Sequence, residues 1–547
     1  MKKDIFLLIY NDAYTLFTPL ISRHPYRLQD ILELPAHGLD AIKYGVTHEP
    51  IFFESNRQDK DLRLTPIHLY TLLHENNINT ALMGELEFSN PKKVLEKIDP
   101  ERIFAIGIST TYTFSKNSLQ KLLSIKNEVF TEVPVILGGA AITLHKEWFE
   151  DLPADFVIEG DADIALIELL KCIMNGDDYR SVNNLMWKDT NGQVVNNQRK
   201  SVDLNDVYTP RWDLVGNGKW PEYIYYESVR GCPFKCSFCS YPQQSPDINP
   251  KSAVKMFEEF QYYKSKGVEH ILCFDSSMLT PISRMKVFTN LIKENDLRIS
   301  WSCYGHIKQL QSKELCKAMA DAGCVAIYLG IESGDDTILK YMNKHSSRKN
   351  VIVALNNLRE VGIIVNAFFI FGFPGENVEN ARNTIALIEN EKPDMIGVQT
   401  FQIRDLNIPI LKEKEKFNIS FDVNDTSQIK KVSHNGMDYD QAKSVLKECY
   451  LKLNNEDYNI LRFDILNAGG LHIRFSSSDD TSKVFYIKDK IFPILKWYQM
   501  ALLSHPNLDR YFPEYPKSLE KFEYYKNKCI KSFHEELNSN RLYINLN

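Results

Sequence analysis

At 547 residues, with 44% hydrophobic and 25% charged side chains, the chain has the composition of a soluble globular protein of more than two ordinary domains. A formal net charge of -6 and the lack of any Lys/Arg block exclude an electrostatic case for a nucleic-acid partner, so small molecules or peptides are the expected substrates. No signal peptide or bilayer-length apolar run is visible, and ten cysteines without a disulfide-like pattern point to a reducing, cytoplasmic compartment.

The first predicted element is a buried strand, Asp4 to Ile9. An insertion follows, Asn11 to Leu64, rich in aromatics and proline and longer than ordinary loops. Thr65-Pro66 then opens a helix through Leu69, Leu72 and Leu73. Apolar strand-like runs come at Thr80 to Met83, Ile103 to Ile108, Val133 to Leu137 and Asp155 to Ile158. Helical stretches alternate with them at Pro91 to Ile98, Ser115 to Phe130, Thr143 to Phe149 and Ala162 to Met174. This alternation predicts a parallel sheet covered on both faces, a doubly wound domain over residues 1–190. Ligands of such sheets sit beyond the carboxyl ends of the strands. Those ends carry Gly107-Ile108-Ser109-Thr110-Thr111, Gly138-Gly139-Ala140-Ala141 and Glu159-Gly160-Asp161-Ala162-Asp163. Glycines there let the backbone approach a bulky ligand, and the hydroxyls offer hydrogen bonds.

Residues 191–222 are polar and end in Tyr208-Thr209-Pro210-Arg211-Trp212, a linker to a second domain. The apolar run Tyr223 to Val229 then leads into Arg230-Gly231-Cys232-Pro233-Phe234-Lys235-Cys236-Ser237-Phe238-Cys239. Three cysteines at C-x3-C-x2-C suit an iron–sulfur cluster, whose ligands are thiolates and whose cubane form takes four. With three, one iron keeps an open position, as a catalytic zinc does. The alternative is a structural zinc knuckle, but such sites complete four ligands at paired spacings and no partner pair is near. Cys172, Cys273, Cys303, Cys316, Cys324, Cys449 and Cys529 read as core or surface thiols.

After the cysteines a helix runs from Ala253 to Lys264, followed by strands at Glu269 to Phe274, Ile299 to Cys303, Val325 to Leu329, Val365 to Phe371 and Met395 to Phe401. Helices near Met285 to Lys293, Lys313 to Ala322, Asn350 to Val361 and Asn377 to Asn390 separate them. Six parallel units are too few for a closed eight-stranded barrel and predict a partial, open one over residues 223–404. Beyond Arg404 the stretch Leu411 to Asn435 is polar and irregular. Helical runs at Tyr439 to Leu453, near Val484 to Leu502 and through Leu519 to Leu537 predict a mostly helical capping domain over 405–547, with Trp497, Tyr498, Phe512 and Tyr515 in its core.

The cysteine loop resembles the cluster loop of the radical S-adenosylmethionine (SAM) superfamily. With the glycine-bearing strand ends ahead of it, the chain resembles the cobalamin-dependent radical SAM enzymes, which carry a B12-binding domain. The resemblance implies an α/β chain: an N-terminal doubly wound, Rossmann-like cobalamin-binding domain, a central partial (β/α)6 radical SAM barrel, and a mostly helical C-terminal domain. It implies that Cys232, Cys236 and Cys239 hold a 4Fe-4S cluster whose open iron chelates SAM. An electron from a donor such as flavodoxin or ferredoxin then cleaves SAM to methionine and a 5′-deoxyadenosyl radical.

By the same resemblance, Phe238 borders the adenine. Gly330-Ile331-Glu332-Ser333-Gly334 resembles the family's Gly-x-Glu-Ser element, which places Glu332 and Ser333 at the ribose or amino-acid portion of SAM. Ile370-Phe371-Gly372-Phe373-Pro374-Gly375-Glu376 resembles the fifth-strand motif on the adenine side, which places Gly372 and Glu376 there; a turn glycine and a helix-start carboxylate are the structural reading of the same pair. Asp275 stands where relatives often carry paired acids and is read as a SAM or substrate contact. Ser109, Thr110, Gly138, Gly139 and Glu159 would border cobalamin or its nucleotide tail. The Asp-x-His-x-x-Gly motif of many cobalamin proteins is absent, and His145, near the Gly-Gly loop, reads as a helix-surface histidine.

The implied reaction is hydrogen abstraction from an unactivated carbon of a small molecule or peptide natural product, methyl transfer from methylcobalamin, and remethylation by a second SAM. Alternatives are a non-methylating rearrangement or cyclisation on the same cofactors, a methylthiotransferase, and a non-enzymatic iron–sulfur module. The methylthiotransferase is disfavoured because residues 1–190 contain Cys172 alone, where that family uses three cysteines.

Overall fold

A computed structural model describes residues 3–10, 52–54, 64–84, 88–111, 113, 116–215, 218–221, 223–403, 405–422, 431–454, 460–462, 471–473, 492–504 and 517–538. The 11–64 insertion lies outside these residues, apart from the strand Phe52–Glu54 and Leu64. Phe512 and Tyr515 lie outside them too.

The N-terminal sheet has seven strands: β1 (Ile5–Tyr10), β2 (Thr80–Gly84), β3 (Ile103–Ser109), β4 (Val135–Gly138), β5 (Phe156–Ile158), β6 (Leu185–Lys188) and β7 (Val194–Asn196). Their order is β2-β1-β3-β4-β5-β6-β7, parallel through β5 and antiparallel beyond it. The apolar strands bury both faces. Leu7, Ile9, Ile106 and Ile108 pack with Leu119, Leu122 and Leu123 of the helix Lys116–Val129. Phe6, Leu8 and Ile136 pack with Leu72, Leu73, Leu169 and Leu170 of the helices Leu64–Glu75 and Ala165–Asn175 on the other side. The domain is doubly wound, and the chain reverses direction across the sheet between β1 and β3, where a doubly wound sheet opens its ligand crevice.

The hairpin β6–β7 departs from the expected boundary. Residues 191–222 were expected to be linker, yet Val194–Asn196 completes the sheet around a turn in which Gly192 has φ +78°. Asn-Gly between short apolar runs is the turn chemistry such a hairpin needs.

The second sheet also has seven strands. In chain order they are β8 (Tyr223–Tyr226), β9 (His270–Cys273), β10 (Ser300–Gly305), β11 (Cys324–Glu332), β12 (Ile364–Phe371), β13 (Met395–Thr400) and β14 (Leu461–Arg462). Each pairs in parallel with its sequence neighbours, and among the described residues β8 and β14 are the two edges of an open sheet. Strand periodicity sorts the side chains. Ile224, Tyr226, Ile271, Trp301, Ile327, Val365, Phe369 and Ile396 are buried in one core beneath the helices. The other face carries a row of rings, Tyr225, Phe274, Tyr304, Tyr328 and Phe368, with neighbouring centroids 4.9–6.5 Å apart.

The barrel unit reaches further than residue 404. Ala442, Val445, Cys449 and Leu453 of the helix Tyr439–Leu453 belong to the barrel core, and β14 extends the sheet. Two helices, Phe492–Ser504 and Leu519–Asn538, pack on each other beyond it, in keeping with a mostly helical C-terminal region. Among the described residues no helix is long and apolar enough to cross a membrane.

The root of the barrel is locked by a buried ion pair. Lys251 Nζ lies 2.8 Å from Glu259 Oε2, with both side chains under 5% exposed. Tyr226 donates to Glu259 Oε2 at 2.5 Å, and Thr209 of the linker donates to Oε1 at 2.9 Å. Glu259→Leu leaves the Lys251 ammonium buried without its anion, and removing one partner of a buried pair costs about 3–5 kcal/mol. Chemical denaturation should show that loss; a change below about 1 kcal/mol, the scale of an exposed pair, would mean the pair is not a keystone.

Candidate functional site

A cavity of about 280 Å³ opens at the carboxyl ends of β1, β3, β4 and β5. Ser109, Thr111, Gly138 and Gly139 line it from the sheet, while Glu227, Arg230, Tyr241 and Ser245 close it from the barrel side. Gly138 and Gly139 differ in what they permit. A Cβ on Gly138 would meet nothing nearer than Ile158 O at 3.9 Å. Gly139 has φ +104°, and its Cβ would fall 2.7 Å from Thr111 Oγ1, so only glycine makes this turn.

Two expected cavity residues turn inward instead. Thr110 is fully buried; its hydroxyl donates to Gly138 O at 2.9 Å and accepts from Ile142 N at 3.2 Å, which staples the turn. Glu159 is buried with its carboxylate 2.6 Å from Lys146 Nζ and 3.3 Å from Arg199 Nη1. Both side chains are absent from the cavity wall, so the structure makes them supports. His145 stacks on Trp148 at 4.5 Å, as a surface-helix histidine does.

Next to the cavity, the cysteine loop has no ladder past Arg230, so its polar groups are held by neighbours. Ser237 N donates to Met342 O at 2.9 Å and its hydroxyl to Tyr341 O at 2.8 Å; Ser237 O accepts from Ile410 N, and Lys235 O from Asn343 Nδ2. Phe234 stacks on His306 with centroids 3.6 Å apart. Burial lowers the His306 imidazole to about 3, so it is neutral. Cys236 and Cys239 feel each other and Cys232, and both face Lys344 and Glu332. Burial pushes the Cys236 thiol up to about 11, with Lys344 pulling it back. Among the described residues no three His, Cys, Asp or Glu side chains converge on a single-ion site. Three thiols grouped on one rigid loop suit the corners of a cluster.

The strand ends around the thiols sort the expected SAM residues. Glu332 sits past a register shift in β11 with φ +71°, a left-handed conformation that is costly for a residue other than glycine. That turn brings its carboxylate 3.1 Å from Lys344 Nζ, both side chains being nearly buried. Gly330 makes room for it, since a Cβ there would lie 2.2 Å from Glu332 Oε1. Lys344 also lies 5.7 Å from the ring centre of Phe238. Glu332 and Lys344 therefore form a charged pair that acts on Cys236 and Cys239, with Lys344 also over the Phe238 ring, and Lys344 is a residue that sequence motifs did not single out.

Three other expected contacts are turned into the protein. Ser333 is fully buried, with its hydroxyl 3.2 Å from Thr384 Oγ1 and accepting from Asp335 N. Asp275 accepts from Ser228 N at 2.7 Å, Ser228 Oγ at 2.5 Å and Val229 N at 3.2 Å, which fixes the corner leading to the cysteines. Burial raises its carboxyl to about 6. Glu376 is fully buried and accepts from Gly372 N at 2.5 Å, while His434 donates to Gly372 O and accepts from Gly375 N and Gly436 N. Gly372 itself, at φ +76°, has the Cβ of Ala442 2.6 Å from where its own would be. The Gly372 to Glu376 element is thus a self-closed turn, as the structural reading of its sequence has it.

Residues 226–388 match the Radical SAM superfamily, and residues 71–170 match the B12 binding domain. The chain is 28% identical over 322 residues to an uncharacterised methyltransferase of Pyrococcus horikoshii, covering 57% of this chain and 69% of that one. It is 24% identical over 332 residues to the anaerobic magnesium-protoporphyrin IX monomethyl ester cyclase of Rubrivivax gelatinosus, covering 58% of this chain and 59% of the cyclase, less than two thirds of its length. In fold it is similar to OxsB, a cobalamin-dependent SAM radical enzyme, at a TM-score of 0.63 and 14% identity over 98% of this chain and 80% of that one. It is likewise similar to TsrM, a radical SAM methyltransferase from Kitasatospora setae, at a TM-score of 0.59 and 12% identity over 98% and 100%.

A B12-binding domain followed by a radical SAM domain defines a class of enzyme. This chain carries both domains in that order, and together they imply a 4Fe-4S cluster, SAM and cobalamin as cofactors.

The Glu376 turn carries a pH signature. Burial raises its carboxyl to about 8 from the usual 4.5. A carboxyl raised on folding stays protonated in the folded chain while the unfolded chain releases its proton, so its contribution to stability is full below pH 4.5 and declines up to about pH 8. Glu376→Gln, which keeps the acceptor for Gly372 N, should remove that slope. The stability difference between variant and wild type should grow from pH 5 to 8 and then level off; a difference independent of pH would show Glu376 to be ionised in place.

Proposed function

We propose that the chain is a C-methyltransferase acting on an unactivated carbon of a small molecule or peptide. One observation carries the reading: the cavity at Gly138 is walled on one side by the B12-binding domain and on the other by Glu227 and Arg230, at the root of the cluster loop. A corrin seated against Gly138 would therefore lie beside the thiols. Cobalamin supplies a transferable methyl group and the SAM-bearing cluster supplies the radical that opens a C–H bond. The protein's own part is positioning. Cys232, Cys236 and Cys239 would hold the cluster, Glu332, Lys344 and Phe238 would border SAM, and Ser109, Gly138 and Gly139 would border cobalamin.

The inner wall of the barrel, with its aromatic row from Tyr225 to Phe368, would receive the substrate. The electron would come from a small donor such as flavodoxin or ferredoxin, in the cytoplasm. The similarity to a cyclase supports a second reading, ring closure without methyl transfer. Product mass separates the two, since methylation adds one carbon and cyclisation none.

The test uses the space above Gly138. A Cβ at Gly138 stays in ordinary contact with the nearest atom, Ile158 O, and Gly138 lines the cavity, so the Gly138→Trp protein should keep its iron and its SAM cleavage to 5′-deoxyadenosine while losing bound cobalamin and methylated product. Wild-type protein that binds no cobalamin under anaerobic reconstitution would sink the reading.

A further inference from the structure

The wall shared by the two domains is an ion network. Arg230 sits immediately before Gly231 and Cys232. Its Nη1 lies 2.6 Å from Asp163 Oδ2 and 3.3 Å from Asp161 Oδ1, and its Nη2 lies 3.3 Å from Asp163 Oδ1 and 3.0 Å from Glu227 Oε2. His68, on the helix after the insertion, donates from Nε2 to Asp163 Oδ1 at 2.6 Å. All five side chains line the cavity. Asp161, Asp163 and His68 come from the B12-binding domain, Glu227 and Arg230 from the barrel. Three carboxylates thus converge on one guanidinium and one imidazole. The fork of Arg230 grips Asp163 with two nitrogens, a geometry that fixes direction as well as distance.

What Arg230 holds is passed to the cysteines without slack. Gly231 has φ +82°, and a Cβ there would lie 2.0 Å from Asp247 O, so its backbone is wedged against the neighbouring chain. Its N–H donates to Tyr241 Oη at 3.3 Å, and its carbonyl accepts from Ser276 Oγ at 2.9 Å. Arg230 itself stands opposite Asn249 in a two-residue antiparallel ladder. A shift of the B12-binding domain is therefore felt at Cys232.

We propose that Arg230 is a positioning residue that sets the register between the cobalamin cavity and the cluster loop, through its bidentate contact with Asp163. The proposal rests on the cofactor assignment of the methyltransferase reading. It adds that the two cofactor sites do not find their separation by general domain packing but by this one fork.

Three variants test it in the full chain, anaerobically reconstituted with iron, sulfide and hydroxocobalamin. Arg230→Met removes the charge at similar bulk, Arg230→Lys keeps the charge without the fork, and Asp163→Asn removes the partner's charge at constant shape. Iron and sulfide content should stay at the wild-type level in all three. Equilibrium dialysis should show hydroxocobalamin held about tenfold or more weakly by Arg230→Met, the scale of effect when a group orienting a metal site's surroundings is lost. EPR of the reduced cluster beside cob(II)alamin should show a broadened spread of cluster–cobalt distances in Arg230→Met and Asp163→Asn, with Arg230→Lys partly restoring affinity but not the narrow spread.

Wild-type affinity and distance spread in Arg230→Met would overturn the proposal. So would loss of iron together with cobalamin, or failure of both Arg230→Met and Asp163→Asn to fold, since the network would then serve folding. Wild-type protein that takes up no cobalamin strikes the methyltransferase reading itself, so the two failures are distinct.

Discussion

The structure depends on holding an irregular ten-residue loop still. Residues 230–239 have no repeating ladder beyond the pairing of Val229 and Arg230, yet they carry Cys232, Cys236 and Cys239. Each unsatisfied buried backbone group costs about 1–3 kcal/mol, so such a loop persists only if other elements supply its partners. They come from everywhere: Tyr341, Met342 and Asn343 from the end of one helix, Ile410 from beyond the last long strand, Ser276 from the second strand end, and Asp275 one step further back. The loop is the point at which the open barrel is tied across its own mouth.

Charge is buried at that point with economy. Glu332 and Lys344 form one nearly dry pair beside the thiols, and Arg230 with Asp163 forms another beside the cavity. Burial raises Asp163, but His68 and Arg230 outweigh it and hold the carboxyl well below the usual range. Such pairs are poor sources of stability, because desolvation cancels much of the attraction. Their use is directional: each fixes a side chain that a hydrophobic substitute would leave free to slide. Glu332 shows the same preference in its backbone, which accepts a left-handed turn to reach its partner.

Much of this was legible from residue order alone. Cysteine spacing, strand–helix alternation and glycines at strand ends are local signals, and local signals led to the two sheets, the cavity and the cluster loop. What stayed hidden was side-chain direction. A motif brings Ser333, Asp275 and Glu376 to the mouth of the barrel, but whether a carboxylate faces the opening or the backbone behind it depends on neighbours such as Thr384, Ser228 and His434, which are distant in sequence. His68, Asp163 and Arg230 were hidden for the same reason, being separated by 95 and 67 positions along the chain. The hairpin Leu185–Asn196 was a different failure, since its Asn-Gly turn was visible but its strands, four and three residues long, were too short to carry an alternation signal.

The two sheets solve different burial problems, and this decides where a large ligand fits. The N-terminal sheet buries both faces against helices, so only its strand ends are open, and ends can offer little beyond glycines, hydroxyls and a few charges. The barrel sheet buries its outer face and turns an aromatic row inward, so it has an entire wall to offer, but along strands that point toward the cysteines. A flat ligand held by strand ends on one side therefore presents its other side to the loop at the mouth of the barrel. The cavity between Gly138 and Arg230 is where those two surfaces meet, and its charged seam is the only part of the wall to which both domains contribute paired side chains among the described residues.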